Sequence, residues 1–371
     1  MQHQSNLMKF KSAYCYFILS TLFVTSVVFS CSSNAVENII DLHPPSEPAD
    51  QHHFRNAFEI NRILGKGINL GNALEAPNEG EWGMVIEEEF IQLIKDAGFE
   101  SVRIPIRWNA HALTNSPYTI DQAFFDRVDE VAGWSLDRGL AVMINIHHYN
   151  ELMQQPQPHR QRFLSLWDQI AEHYKHYPEE LVFEVLNEPH DNLTPDLWNT
   201  FFAEALDVIR KTNPKRVVVA GTANWGGFEQ IRYLRLPEDD RQLIVSVHSY
   251  EPFHFTHQGA DWVGQDARGW IGTTWDGTDA EKAAVDQIFG VVEGWAETYN
   301  RPIHVGEFGV FYPADDNSRE RWTSYIRESS EIRNYSWAYW EFGAGFGVYD
   351  RDNSEWRDYL LRALIPDSPL L

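Results

Sequence analysis

Two glutamates stand where carboxylates can do chemistry. Glu188 ends the run Leu181-Val182-Phe183-Glu184-Val185-Leu186-Asn187-Glu188 and is followed by Pro189. Glu307, about 120 residues further on, ends the run Ile303-His304-Val305-Gly306-Glu307. Each run has strand length and is mostly apolar. The C-terminal ends of such strands are where a (β/α)8 barrel holds its reactive groups. Pro189 predicts an extended backbone at Glu188 and no helix starting there. Either segment alone reads equally well as a strand leaving the core through a turn. Together, two strand-terminal carboxyls suit cleavage of a glycosidic bond. One protonates the leaving oxygen and the other attacks the anomeric carbon, about 5–5.5 Å away. The residues alone do not say which is which. They require only that one pKa be raised and the other kept low.

Eight apolar runs could position them: Gly67–Leu70, Ser101–Ile106, Ala141–His147, Leu181–Asn187, Arg216–Gly221, Ile244–His248, Ile303–Glu307 and Trp337–Trp340. They alternate with helical patterns, which predicts a parallel sheet closed as a (β/α)8 barrel. Phe90, Leu93, Ile94 and Ala97 mark one helix; Phe125, Val128 and Val131 mark another; Phe163, Leu166, Trp167 and Ile170 mark a third. Thr194-Pro195 predicts an N-cap and first helical residue. The interval after the sixth run is the longest. It holds Glu251–Asp279, rich in Phe, His and Trp, and predicts a loop that walls a cleft.

The runs carry motifs that resemble glycoside hydrolase family 5, the cellulase and mannanase barrels. Asn187-Glu188-Pro189 and Gly306-Glu307-Phe308 stand in order with Val102-Arg103-Ile104-Pro105, Ile146-His147-His148, Val247-His248-Ser249-Tyr250 and Tyr339-Trp340-Glu341. Asn69–Ala76 and Ala338–Asp350 match the endoglucanase and mannanase branch. The resemblance runs from about Ile63 to Ile365. It implies that Glu188 is the acid/base and Glu307 the nucleophile. Asn187 matches the residue that bonds the sugar 2-hydroxyl, and Tyr250 the one that bonds the nucleophile. His147 and His248 match histidines lining the site, and Trp340 the floor beneath the sugar. Glu341 is expected to reach a sugar hydroxyl. Arg103, as a cation, would keep Glu307 ionised. Asn72, Glu75, His148, Trp225, His257 and Trp262 also follow strand ends and are carried as substrate contacts. Glu184 shares side-chain parity with Glu188, lies deeper, and is expected to be structural.

The formal net charge of −24 over 371 residues argues against nucleic acid or an anionic membrane surface as partner. The chain holds no G-x-S-x-G and no G-x-G-x-x-G, so serine-hydrolase and dinucleotide readings lack support. It also holds no H-E-x-x-H. A zinc ion on His147, His248 and a glutamate is the remaining metal reading; the preferred one needs no metal and no cofactor. The implied activity is endo-cleavage of internal β-1,4 bonds in cellulose or a soluble β-glucan, with β-mannan as the alternative. A non-catalytic carbohydrate-binding lipoprotein would be expected to lose Glu188, Glu307 or Arg103, and all three are present.

Residues 1–31 read as an export signal: Lys9 and Lys11 precede an uncharged stretch to Ser30. Val28-Phe29-Ser30-Cys31 resembles a bacterial lipoprotein cleavage box, with Cys31 as the lipidated residue. An ordinary signal peptide is the alternative. Residues 32–53, with Pro44, Pro45 and Pro48, read as a tether, and residues 54–371 as the barrel. Cys15 and Cys31 are the only cysteines, so the barrel has no disulfide.

Overall fold

All eight apolar runs become strands of one closed parallel barrel in the computed structural model, which describes residues 54–371. The strands are β1 (Lys66–Asn69), β2 (Ser101–Ile104), β3 (Ala141–Asn145), β4 (Leu181–Glu184), β5 (Val218–Gly221), β6 (Leu243–Ser249), β7 (Ile303–Phe308) and β8 (Ser336–Tyr339). Each pairs with the next, and β8 pairs with β1. The segment carrying the leader, Cys31 and the tether lies outside the described residues. No helix among the described residues is long and apolar enough to cross a membrane.

Several strands end earlier than their apolar runs. β4 stops at Glu184, yet Val185 N–H still donates to Val219 O at 3.1 Å and Asn187 N–H to Ile146 O at 2.9 Å. Past the regular ladder, buried indoles take up strand-end carbonyls. Trp108 donates to Asn145 O, Trp167 to Val185 O and Trp198 to Gly221 O, at 2.8–3.0 Å. A buried carbonyl without a donor is costly, so these indoles hold the rim while filling the space between strands and helices.

The marked helices form at Glu88–Ala97, Gln122–Asp137 and Pro156–His173, each burying its apolar face on the sheet. Thr194 caps the helix Pro195–Arg210. One further helix closes the barrel floor. Asn56 accepts from the N–H groups of Phe58 and Glu59, Glu59 reaches back to Asn56 N–H, and Ala57–Leu64 follows. Its Ala57, Ile60 and Leu64 pack on Met143, Val182, Val219 and Ile244 inside the barrel. Above that apolar plug the interior turns polar. The register sets Asn69 beside Arg103, Asn145 beside Glu184 and, through an irregularity between Val247 and His248, His248 beside Glu307.

Arg216 secures the floor from outside. Its buried guanidinium donates to the carbonyls of Tyr174, Tyr177, Pro178 and Leu181 and to Asn213 Oδ1. Arg216→Met should therefore lower unfolding free energy by about 3 kcal/mol, because four carbonyls lose their donor. Denaturant midpoints compared with wild type test this; an unchanged midpoint would contradict the role.

Candidate active site

Arg103, at the C-terminal half of β2, touches three other strands or their ends. Nε donates to Glu184 Oε2 at 2.8 Å. Nη1 donates to Asn69 Oδ1 at 2.8 Å and Glu307 Oε1 at 2.7 Å. Nη2 donates to Asn187 Oδ1 at 2.8 Å. Burial opposes its charge, but the carboxylates of Glu184 and Glu307 outweigh that and hold the guanidinium above its ordinary range. Glu184 is thus the buried partner of Arg103, with Asn145 Nδ2 as a second donor at 2.8 Å.

Glu307 is gripped from two sides. Arg103 takes Oε1, and Tyr250 O–H donates to Oε2 at 3.0 Å. Burial, then the Glu307 charge, keep the Tyr250 pKa well above the usual phenol range, so its proton stays on. His248 stands between the glutamates, with Nδ1 2.7 Å from Glu188 Oε1 and 3.7 Å from Glu307 Oε2. Burial would lower its pKa; the carboxylates of Glu307 and Glu188 raise it overall. Two glycines make room for the ring. A Cβ on Gly226 would fall 2.8 Å from it, and one on Gly306 would fall 3.0 Å from it. Glu188 is raised, chiefly by burial and also by the Glu307 charge, against the opposing His248 bond. One carboxylate oxygen of Glu188, one of Glu307 and a His248 nitrogen lie within 4.8 Å of one another.

The backbone at Glu188 departs from the extended form expected before Pro189. Its φ is 44°, in the left-handed region. A carbonyl–imidazole bond at 2.6 Å to His190 and the carboxylate bond to His248 fix this conformation. Such strain costs about 1–3 kcal/mol and persists only where surroundings enforce it.

Aromatic rings line the approach. Trp340 lies parallel to His147 with centroids 5.7 Å apart. Gly71 lets the indole close in, since a Cβ there would come within 2.9 Å of it. On the Glu188 side, Trp225 is 57% exposed and stacks on His190 at 3.6 Å. On the long loop after β6, Trp262 is 62% exposed, with its edge against Phe311.

Known proteins resemble this chain. Residues 63–345 match the family described as Cellulase (glycosyl hydrolase family 5). The chain belongs to that family. Endoglucanase H of Acetivibrio thermocellus is 38% identical over 314 residues, covering 83% of this chain. The chain spans a third (33%) of that protein's length. Cel5A of Thermotoga maritima is 52% identical, with a TM-score of 0.82, over 84% of this chain and all of the other. Its structures include complexes with mannotriose and with cellobiose.

Within this family 5 site, three of the expected substrate contacts are buried on protein partners. Glu75 is buried and accepts from the N–H groups of Asn72 and Ala73. Glu341 is buried and accepts from Gly343, Ala344 and Phe346 N–H groups. Burial pushes Glu75 up to about 8 and Glu341 up to about 7. Both carboxyls bond backbone amides of their own loops. His257 is also buried, bonded to the Thr256 hydroxyl and packed beside Tyr250 and Phe253. Burial lowers its pKa to about 4, which leaves a neutral ring that supports Tyr250.

His148 stays at the rim with its edge toward Trp82, and Asn72 is half-buried just past the end of β1. His147 has Nδ1 against Asn145 Nδ2 at 3.1 Å and is absent from the cluster that could hold an ion among the described residues, Glu188, His248 and Glu307. Residues that sequence reasoning passed over are Asn69, Asn145 and His190. The first two were visible as amides inside apolar strands, at positions whose side chains alternate inward with their neighbours.

The raised pKa makes a direct test. Carboxyl NMR should find Glu188 titrating above the ordinary glutamate value of about 4.3. A midpoint at or below that value would contradict the burial described here.

Proposed function

We propose that this protein is a retaining endo-β-1,4-glucanase in which Glu188 is the acid/base and Glu307 the nucleophile. The observation that carries the reading is the approach of two carboxylate oxygens to within 4.8 Å. That separation suits direct attack; an inverting pair stands about 6.5–9.5 Å apart to admit water.

In the first step the Glu188 proton passes to the glycosidic oxygen as Glu307 attacks the anomeric carbon. The leaving chain departs, and the sugar is esterified to Glu307. In the second step Glu188, now a carboxylate, takes a proton from water, which attacks the same carbon and frees Glu307. Burial favours the protonated acid that the first step needs. Asn187 is oriented for the sugar. Its oxygen accepts from Arg103, which can only donate, so its NH2 group is turned to meet the 2-hydroxyl. Trp340 supplies an apolar face beneath the ring, and Trp225 another on the leaving-group side. No cofactor enters these steps.

Cellulose or soluble β-glucan is the preferred substrate, supported by the endoglucanase relatives and by the cellobiose complex of Cel5A. β-Mannan is the second reading, supported by the mannotriose complex of Cel5A. The two sugars differ at the 2-hydroxyl, where Asn187 acts. A binding-only lipoprotein is disfavoured by the retention of Glu188, Glu307 and Arg103. Export is supported by Lys9, Lys11 and the apolar stretch to Ser30. Lipidation of Cys31 would give stable anchoring through two or more acyl chains, with residues 32–53 as a stand-off.

Glu307→Gln should lose roughly 10⁴-fold in kcat while binding oligosaccharide as before. Glu188→Ala should fail on polysaccharide, keep the first step on aryl glycosides with good leaving groups, and regain turnover with azide. Wild-type rates from Glu307→Gln, or an azide-insensitive Glu188→Ala dead on activated substrates, would overturn the assignments.

Activity should survive a chelator, since carboxylate, amide, imidazole, phenol and indole fill every role. Loss on chelation with recovery on added zinc would move the reading to a metal site.

Cys31→Ser should release soluble enzyme or stall the precursor, with the barrel still active. Equal appearance of both forms in the medium would show Cys31 to be a bystander.

A further inference from the structure

A cavity of about 270 Å³ lies against the glycine-rich turn Gly343–Gly347, and none of the catalytic candidates lines it. Arg319, Arg351 and Arg357 do, with Asp350, Asp352 and Tyr312. Three guanidiniums against two carboxylates leave the cavity net cationic in a chain of net charge −24.

Their hydrogen bonds show how much of that charge is already used. Arg357 reaches Asp350 at 3.1 Å, and Asp350 also accepts from the N–H groups of Asp352 and Asn353. Arg351 donates to Gly343 O at 2.7 Å and Gly83 O at 2.9 Å, and forms no ion pair among the described residues. Arg319 is buried; it donates to Tyr359 O–H at 2.6 Å and Phe346 O at 3.3 Å. Its Nε has no partner among the described residues. Its nearest carboxylate, the exposed Asp316, stands 3.9 Å away. Two of the three cations thus bond neutral oxygens almost exclusively. A buried N–H with no acceptor is costly, and guanidinium forks match carboxylates. Glu341, behind the turn, already gives its oxygens to backbone amides.

Tyr312 adds the second element. It is 66% exposed and lines the same cavity, with its ring held against Phe311 at 4.6 Å. Flat aromatic faces suit pyranose rings, and an arginine fork suits an acid on the ring's edge. The volume falls just below the roughly 300–1,000 Å³ of common ligand pockets and suits one ring better than a chain.

We propose that this cavity binds a carboxylate-bearing sugar, a single uronate unit, with its carboxylate at Arg351 and Arg319 and its ring on Tyr312. The site is separate from the hydrolytic cleft and does not depend on the activity proposed above.

Calorimetric titration of the full chain with D-glucuronate tests it, with D-glucose and inorganic sulfate as comparisons. Glucuronate should bind in the millimolar range and glucose should not. Arg351→Gln should weaken glucuronate about tenfold. Arg351→Lys should recover part of that loss. Tyr312→Ala changes an exposed side chain. It should weaken glucuronate, spare any sulfate binding, and leave hydrolysis of neutral glucan unchanged. The proposal is overturned by absent glucuronate binding, by equal binding of glucose, by sulfate binding without glucuronate, or by indifference to Arg351→Gln. Loss of neutral-glucan hydrolysis in Tyr312→Ala would place that ring in the cleft and overturn the separation. Failure of wild type to hydrolyse neutral glucan bears on the proposed activity alone, because glucuronate binding is read directly.

Discussion

One buried cation organises the mouth of this barrel. Arg103 reaches β1 through Asn69, β4 and its end through Glu184 and Asn187, and β7 through Glu307. A guanidinium taken from water demands partners for its donors, and these strands supply oxygens. Removing one member of such a buried set costs about 3–5 kcal/mol, since the remaining charge stays buried without compensation. The same bonds that satisfy Arg103 therefore fix where Glu307 points and which way the Asn187 amide is turned. Stability of the polar layer and geometry of the reacting groups are one constraint.

The barrel beneath makes that constraint affordable. Met143, Val182, Val219 and Ile244, closed below by Ala57–Leu64, keep the lower interior dry and packed. Low effective dielectric above them strengthens the Arg103 bonds and also raises Glu188. Glu184 takes part of the Arg103 charge, and on the other side the carboxylates of Glu307 and Glu188 hold His248 above its ordinary range against the pull of burial. The two glutamates differ because their neighbours differ. Glu307 has a guanidinium and a phenol; Glu188 has only the imidazole and partial burial, with its side chain 17% exposed.

The eight strands and the family were legible because apolar runs ending in motif residues report a barrel directly. So was the pairing need of Glu184, from parity alone. Other features were hidden for physical reasons. Glu75 and Glu341 follow strand ends just as Glu188 does, and only folding shows their oxygens turned onto backbone amides. His257 sits in a loop of aromatics, where sequence does not distinguish the ring facing the cleft from the ring behind it. The left-handed backbone at Glu188 is imposed by His190 and His248, contacts that the local rule for residues before proline does not include. The floor helix was signalled by Asn56 and Glu59 three residues apart, a capping box overlooked beside the stronger motifs.

As proposed, Arg103 and Tyr250 hold Glu307 for attack on the anomeric carbon, and that attack can be trapped. A 2-deoxy-2-fluoro cellobioside with an activated leaving group slows the second step and accumulates the glycosyl-enzyme. Peptide mass spectrometry of the trapped protein should place one sugar adduct on Glu307. An adduct on Glu188, or turnover of good substrates with no adduct at either glutamate, would contradict Glu307 as the nucleophile.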